Sequence, residues 1–294
     1  MSNRIKTALY LPNYGPFGEA RTIADLARDA ESAGWDGFFI WDHIVRDKTA
    51  LPFADPWVSL TAAAMQTTTI TLGTTVTPIP RRRPHMLAKE TATLDLLSNG
   101  RLILSVGIGG GKSEWEHLGE EEDLVTRGKM LDEGLDVLVG LWSGKPFQFE
   151  GEYYHIEQAH FLPPPVQKPR IPIWVGGIWP NKRPFRRMAR WDGMFPLFGP
   201  DSPDLELVFT EAVAFVQEER KRLGINEPFD VLMRGVSPGD DPDEASVRIN
   251  KAANLGATWW LEALTPDVFG LSPTDPETIN VLRERVMQGP PGMD

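Results

Sequence analysis

The stretch Gly37-Phe-Phe-Ile-Trp-Asp-His43 joins an apolar run to two titratable side chains at its carboxyl end. The apolar residues predict a buried strand over 37–41. In a barrel of parallel strands, the loops that follow the carboxyl ends of the strands carry the chemistry. His43 is therefore a candidate for general acid-base work, since imidazole titrates near neutral pH. Asp42 is a second catalytic candidate, because an adjacent acid can orient the imidazole and fix its tautomer.

Strand-like and helical segments alternate along the whole chain on both sides of this stretch. The predicted strands cover residues 5–11, 37–41, 70–77, 102–107, 171–175, 193–198, 229–236 and 258–263. The predicted helices cover residues 20–33, 56–65, 84–97, 127–141, 181–190, 203–223, 242–253 and 275–287, with Gly34 capping the first. Eight strand-helix units predict an α/β fold, a single (βα)8 TIM barrel over residues 1–294. The alternative is an open doubly wound sheet, but no nucleotide-binding glycine fingerprint follows the first strand.

Residues 143–170 interrupt this rhythm after the fourth strand-helix unit. They include three consecutive prolines, Pro163 to Pro165, and show little helical periodicity. We interpret the segment as an insertion with a short hairpin. It is a candidate lid or dimer element, and a plain connecting loop is an equal alternative.

The composition excludes several classes of function. A formal net charge of −11 opposes binding to nucleic acid or anionic membranes. With no cysteine in the chain, disulfides, thiolate metal sites and cysteine nucleophiles are excluded. The absence of a metal-ligand motif predicts no metal site. No apolar stretch approaches the length of a membrane span and no signal peptide is evident, so a cytoplasmic location is expected.

Two predicted strand ends are rich in glycine, Ser105–Gly111 and Trp174–Gly177. Glycines let a backbone approach a ligand closely, and they also permit tight strand-to-helix turns. The basic segment Pro180–Arg187 opens the next helix and is a candidate phosphate site. The run Arg81–Arg83 is a second positive loop, and a solvated surface is an equal interpretation of it.

Seven segments in this order and spacing resemble the luciferase-like monooxygenase family. That family includes bacterial luciferase, flavin-dependent monooxygenases and oxidoreductases that use the deazaflavin coenzyme F-420. The matching segments are Trp41–His43, Leu72–Pro78, Arg81–Pro84, Ala92–Arg101, Val106–Gly109, Pro163–Gln167 and Ile173–Gly177. Beyond residue 198 the resemblance consists mainly of the same alternation of strands and helices.

The resemblance implies a flavin or deazaflavin ring, from FMN or F-420, at the carboxyl-terminal face of the barrel. It implies a non-proline cis peptide at Thr75-Val76 against the ring, and a coenzyme phosphate beside Gly176 and Gly177. It also implies a homodimer. The predicted cofactor-binding residues are Asn13, Thr75, Val76, Gly107, Gly109, Gly176, Gly177 and Trp179.

The Asp42-His43 pair resembles the F-420 branch of the family, whereas many flavin-using members show a Glu-His-His pattern. Gly110 stands where the sugar-phosphate dehydrogenases of the family have a glutamate proton donor. Arg46 and Asp47 stand where a tryptophan is expected, so a sugar-phosphate dehydrogenase is disfavoured. The leading hypothesis is hydride exchange between F-420 and a small organic substrate. The alternatives are an FMN-dependent monooxygenase using O2 and a partner flavin reductase, and a non-catalytic flavin-binding protein.

The expected substrate pocket is apolar and aromatic. Its predicted lining is Tyr14, Phe17, Trp179, Phe198 and Trp260, with Arg234 or Glu262 as a polar anchor.

Overall fold

The computed structural model describes residues 4–46, 50–199 and 204–291. Within them the strands are β1 (Lys6–Leu11), β2 (Gly37–Ile40), β3 (Thr71–Thr74), β4 (Thr77–Pro78), β5 (Leu102–Gly107), β6 (Pro146–Glu150), β7 (His155–His160), β8 (Ile173–Ile178), β9 (Gly193–Leu197), β10 (Asp230–Gly235) and β11 (Trp259–Ala263). The α-helices are α1 (Ala20–Ser32), α2 (Pro56–Gln66), α3 (Pro84–Leu97), α4 (Leu124–Trp142), α5 (Lys182–Met188), α6 (Leu205–Leu223), α7 (Pro242–Asn254) and α8 (Thr278–Met287).

Nine of the strands form one parallel sheet that closes on itself. Their order is β3-β2-β1-β11-β10-β9-β8-β5-β4, and a further pairing between β3 and β5 closes the ring. The two short strands β3 and β4 are halves of the third barrel strand, so the ring has eight positions. The predicted (βα)8 barrel is confirmed. The loops at its carboxyl-terminal face include His43, which follows β2.

Two apolar cores hold the barrel together. The outer core lies between the strands and the helices and includes Phe17, Trp179 and Trp260. The inner core fills the barrel with the inward side chains of alternate strand residues, among them Tyr10 and Trp174. Side chains on a strand alternate between these two cores. Whether a residue holds an odd or an even position along its strand, its parity, therefore decides whether its side chain can reach the barrel mouth.

Local signals explain most of the helix ends. The Asp55 side chain accepts hydrogen bonds from the backbone N–H groups of Trp57 and Val58, both at 2.9 Å, and so caps α2. Gly34, with a φ of 90°, follows α1 as predicted. Helix α4 begins three residues earlier than predicted because Asp123 caps it through the Thr126 N–H. Residue 203, predicted to begin the sixth helix, lies outside the described residues.

The predicted hairpin in the 143–170 insertion is present as the antiparallel pair β6-β7. The chain after it is anchored by Asp95, a buried carboxylate on α3. Asp95 accepts hydrogen bonds from the Val166 N–H at 2.8 Å and from the Gln167 N–H at 3.1 Å. A role of this insertion as a lid or dimer element stays a prediction.

Two boundaries near the mouth differ from the prediction. The third strand is interrupted between β3 and β4 at Thr75-Val76, which is a cis peptide as the family resemblance implied. Strand β8 continues to Ile178 rather than ending at Val175, so Gly176 and Gly177 lie inside the strand. Among the described residues, no helix has the length and apolar character needed to cross a membrane.

Candidate active site at the carboxyl-terminal mouth of the barrel

The floor of the barrel mouth is made by the uppermost inward side chains of several strands. Tyr10, from β1, packs against Trp41 with ring centroids 5.4 Å apart. Trp41, Val76, Leu197 and Val236 are partly buried against the inner core. The floor is therefore apolar and partly aromatic, which suits a flat organic ligand.

His43 lies at the edge of this floor, in the loop that follows β2. Its side chain is 31% exposed, and its ring packs edge-on against Trp41 at 5.6 Å. Asn13 holds the loop in place: its Nδ2 donates to the carbonyl oxygens of His43 and Ala54, both at 2.7 Å, and its Oδ1 accepts from the His43 N–H at 3.2 Å. Asn13 was predicted to bind a cofactor, but here its amide is engaged by backbone groups and positions His43.

Glu114 is the acid that contacts the His43 ring. Its Oε2 lies 3.0 Å from His43 Nδ1, and its Oε1 accepts the Ile44 N–H at 2.7 Å. It is nearly fully buried and belongs to a short 3-10 turn, Lys112–Glu114, after β5. A carboxylate at Nδ1 keeps the proton on that nitrogen, so Nε2 of the neutral ring is left as the proton acceptor.

Asp42 does not make the contact with His43 that was expected of it. Its carboxylate is buried and bonds to two arginines instead: Oδ1 accepts from Arg81 at 2.7 Å, and both oxygens accept from Arg82. The physical reason is the extended backbone, which points the side chains of consecutive residues to opposite sides. Asp42 is therefore corrected from orienting the imidazole to anchoring the arginine loop.

Arg81 connects the two acids into one buried network. Its NH1 lies 2.9 Å from Glu114 Oε1, and its NH2 also bonds to the Asp42 carbonyl oxygen at 2.7 Å. The Arg81 side chain is 4% exposed, so its charge needs these partners. The interpretation of Arg81–Arg83 as a solvated surface is wrong for Arg81 and Arg82, whose side chains neutralise the buried carboxylates.

The environment of Glu114 keeps it ionised. Burial by itself would raise the pKa of the Glu114 carboxyl. The hydrogen bond and charge of His43, the charge of Arg81 and the Ile44 N–H outweigh that effect, so the pKa lies below its usual value. The ionised Glu114 carboxylate therefore remains a hydrogen-bond acceptor for His43 Nδ1.

We expect Glu114→Gln to move the proton of the neutral His43 ring from Nδ1 to Nε2. The amide oxygen must face the Ile44 N–H and Arg81, so the NH2 group must face the ring and act as a donor to Nδ1. Nitrogen-15 NMR of the two ring nitrogens measures this directly. Glu116→Gln, which removes the same charge from an exposed neighbour, is the control. An unchanged ring tautomer in Glu114→Gln contradicts the assignment.

The interrupted third strand lies beside the floor and fits a flat ring. Thr75 is buried, and its Oγ1 has no hydrogen-bond partner among the described residues. The partly exposed Val76 occupies the space that a Cβ at Gly107 or Gly176 would need, with methyl carbons 2.8 Å from each ideal Cβ position. Because these two glycines lack a side chain, Val76 fits into the floor beside them. Their contact with a cofactor stays a prediction.

The other predicted cofactor residues have structural partners. A Cβ at Gly109 would lie 2.3 Å from the Trp115 ring, and one at Gly177 would lie 2.3 Å from Pro184. Trp179 is buried in the outer core against Phe185, with Lys182 Nζ 3.3 Å from its ring centroid. For Trp179 the side chain faces the helix layer, away from the floor.

Two basic side chains of the segment that follows β8, Lys182 and Arg187, contact other residues of the protein. Arg187 forms an ion pair with Asp132 at 2.6 Å and donates to the Gly128 carbonyl. Lys182 covers Trp179, whereas Arg183 is exposed. A phosphate contact of this segment stays a prediction.

Most of the expected pocket lining faces the wrong side of the barrel. Phe17, Trp179, Phe198 and Trp260 pack in or against the outer core. Of the predicted aromatic residues, Tyr14 contacts the mouth, through Trp41 at 5.9 Å. Glu262 is also in the helix layer, where it accepts from Trp260 Nε1 at 2.8 Å and Ser237 Oγ at 2.6 Å, so it is not a substrate anchor.

Glu114 and the inward residues Tyr10 and Trp41 were not predicted as parts of the site. Glu114 follows a glycine-rich strand end at the same face as His43, which was the available signal. The missing information was the path of the loop, since residues 71 positions apart in sequence meet here.

The chain belongs to the luciferase-like monooxygenase family, whose model matches residues 3–267. A Mycobacterium tuberculosis protein of uncharacterized function is 31% identical over 223 residues, which are 70% of this chain and 74% of that protein. Family membership makes this protein an enzyme of the flavin- or deazaflavin-dependent oxidoreductase class, as predicted.

Two relatives with named activities show the range within the family. An F-420-dependent glucose-6-phosphate dehydrogenase of Nakamurella multipartita is 34% identical, covering 54% of this chain and 47% of that protein. The oxygenase component of a flavin-dependent trigonelline monooxygenase of Acinetobacter baylyi is 29% identical, covering 55% of this chain and 44% of that protein. F-420-dependent and flavin-dependent enzymes thus both occur among the relatives.

Solved structures show the same fold. An F-420-dependent secondary alcohol dehydrogenase superposes with a TM-score of 0.76 at 17% identity, covering 97% of this chain and 99% of that one. The F-420-dependent tetrahydromethanopterin reductase of Methanopyrus kandleri gives a TM-score of 0.74 at 20% identity, covering 97% and 98%.

Proposed function

We propose that this protein exchanges a hydride between the deazaflavin coenzyme F-420 and a small organic substrate. The observation that carries the proposal is the His43-Glu114 pair, 3.0 Å apart at the edge of an apolar floor. It presents one oriented proton acceptor to the mouth of the barrel. Hydride transfer to or from an oxygen-bearing carbon needs such a group, because a proton must move with the hydride.

The interrupted third strand and its neighbours would hold the coenzyme. Thr75, Val76, Gly107 and Gly176 form the surface on which the ring would lie, and the buried Thr75 Oγ1 is available to it. When bound, F-420 supplies or accepts the hydride. The apolar floor orients the ring and excludes water from it.

His43 would handle the proton of the reaction. For a substrate that is an alcohol in its reduced form, His43 Nε2 takes the hydroxyl proton as the carbon loses its hydride, leaving a carbonyl product. Ionised Glu114 stabilises the imidazolium through Nδ1, and Arg81 holds Glu114 in place. In the reverse direction the imidazolium returns the proton to the oxygen.

The residues favour a reaction other than sugar-phosphate oxidation. Gly110 is exposed, with open space beside it, at the position where the sugar-phosphate dehydrogenases of the family have an acid. Glu114, four residues later, supplies the acid in this chain, but it lies behind the imidazole and nearly fully buried. Among the described residues, His43 is therefore the candidate proton-transfer group at the mouth, and Glu114 positions it.

An FMN-dependent monooxygenase that uses O2 and a partner reductase is the second candidate, favoured by the similarity to the trigonelline monooxygenase. The test is oxygen uptake by the purified protein with reduced FMN, and separately with reduced F-420, in the presence of candidate alcohols and carbonyl compounds. We expect coenzyme oxidation coupled to carbonyl reduction with reduced F-420 and no oxygen uptake coupled to substrate. Substrate-dependent oxygen uptake with reduced FMN would transfer the assignment to the monooxygenase. A homodimer stays a prediction from family resemblance.

A further inference from the structure

Arg234 is an exposed cation on the inner side of the barrel mouth. It lies on β10 at an inward position, between the inner-core residues Leu232 and Val236, and is paired in register with Leu261 of β11. Its guanidinium carbon lies 5.8 Å from the ring centroid of Tyr10. Ala263, the inward residue of β11 opposite Tyr10, has a small side chain that leaves room for this reach.

The buried charges beside His43 are balanced within the protein. Asp42 and Glu114 carry two negative charges, and Arg81 and Arg82 neutralise them. Among the described residues, no carboxylate forms an ion pair with Arg234. Since the whole chain has a formal net charge of −11, an anion would be repelled from most of its surface, whereas the Arg234 guanidinium attracts it locally.

The position of Arg234 separates it from the proposed coenzyme surface. In the ring of eight strands, β10 is the seventh and the interrupted β3/β4 strand is the third, so they lie on opposite sides of the mouth. His43, after the second strand, lies between them on one side. A substrate placed between coenzyme and Arg234 would therefore have its reacting carbon near His43 and its far end at the guanidinium.

We infer that Arg234 is a substrate-specificity residue that binds an anionic group, a carboxylate or a similar oxyanion, on the substrate of the proposed reaction. The planar guanidinium matches such a group with two parallel hydrogen bonds. Tyr10 and Trp41 provide an aromatic wall for the apolar part of the same molecule. The inference rests on the proposed function for the reaction, but the anion site is testable without coenzyme.

The test measures binding of benzoate, and of the neutral benzyl alcohol as its matched probe, to the coenzyme-free protein by saturation-transfer NMR and calorimetry. We expect benzoate to bind more tightly than benzyl alcohol, and Arg234→Met to weaken benzoate binding about tenfold or more, with little change for benzyl alcohol. Arg234→Lys should keep part of the affinity. Arg28→Met, which removes an exposed arginine from α1, is the charge-matched control and should have no effect.

Equal benzoate binding by wild type and Arg234→Met, or no preference of the wild type for benzoate, overturns the inference. The coenzyme has anionic groups of its own, so F-420 and FMN are titrated into Arg234→Met as a second arm. Unchanged coenzyme affinity is expected, whereas a loss confined to the coenzyme reassigns Arg234 to coenzyme binding and overturns the substrate site. If neither coenzyme binds the wild type, the proposed function fails while the benzoate result still decides this inference.

Discussion

Replacement of His43 by alanine is expected to lower kcat about 10²- to 10⁴-fold, the usual contribution of a positioned general base. The affinity for F-420 should change little, since the proposed coenzyme surface is formed by the third to fifth barrel strands. The variant removes the one proton acceptor that Glu114 orients toward the mouth. Steady-state kinetics and a separate coenzyme titration measure the two quantities.

The control for this variant is His85→Ala, which removes an exposed histidine on α3. It should leave both kcat and coenzyme affinity unchanged. Full turnover by His43→Ala would remove His43 from the mechanism. Wild-type protein that binds coenzyme but shows no turnover with any substrate would instead favour the non-catalytic flavin-binding alternative.

Arg81→Met is expected to lower the free energy of unfolding by about 3 to 5 kcal/mol, the cost of breaking a buried ion pair by removing one partner. Asp42 and Glu114 would lose a shared counter-charge while both remain nearly fully buried. Denaturant unfolding followed by circular dichroism measures the change. Arg81→Lys should be intermediate, because an ammonium cannot reproduce the bonds of a guanidinium to two carboxylates.

Arg28→Met serves as the control here as well, because the Arg28 side chain is 43% exposed and its pairs with Asp25 and Asp29 together contribute about 0 to 1 kcal/mol. A loss of similar size in Arg81→Met and Arg28→Met would show that the network around Asp42 is solvated and does not hold the loop. A large loss would support one buried network that joins the loops after the second, third and fourth barrel strands.

The elements of the barrel were predictable because their signals are local. Helix α3 and strand β5 have the bounds that the sequence predicts, Pro84–Leu97 and Leu102–Gly107. Pro84 at the first helical position starts the helix, and the apolar run of β5 is continuous because both faces of a barrel strand are buried. The position of His43 at the mouth follows from the same strand count.

The partner of His43 was not predictable in this way. Asp42 is adjacent in sequence, but neighbouring side chains of an extended segment point apart, and Asp42 turns to Arg81 and Arg82. Glu114 is brought to the ring by a loop whose turn uses the positive φ of Gly109 and Gly111. Such loop paths depend on tertiary packing and leave no periodic trace in the sequence.

The side of the barrel that a residue faces was also missed at several positions. Trp260 and Glu262 share one parity on β11 and face the helices, while Leu261 and Ala263 face inward. Moving one residue along a strand exchanges the two sides of the barrel. When every residue of a strand is apolar, the sequence does not show whether the odd-numbered or the even-numbered residues face inward. Arg234 lies at the mouth, and its role as a polar anchor stays a prediction. Tyr10 and Trp41 join Tyr14 there in place of the other aromatic residues that were expected.

The most direct test of the central claim is titration of the purified protein with F-420 and, separately, with FMN, followed by fluorescence. Saturable 1:1 binding of F-420, tighter than that of FMN, is the result that the proposed function predicts. Val76→Arg, which places a charged side chain on the proposed ring surface, should weaken that binding without unfolding the barrel, as checked by circular dichroism. Failure of F-420 to bind, with tight binding of FMN, would contradict the assignment to the deazaflavin coenzyme.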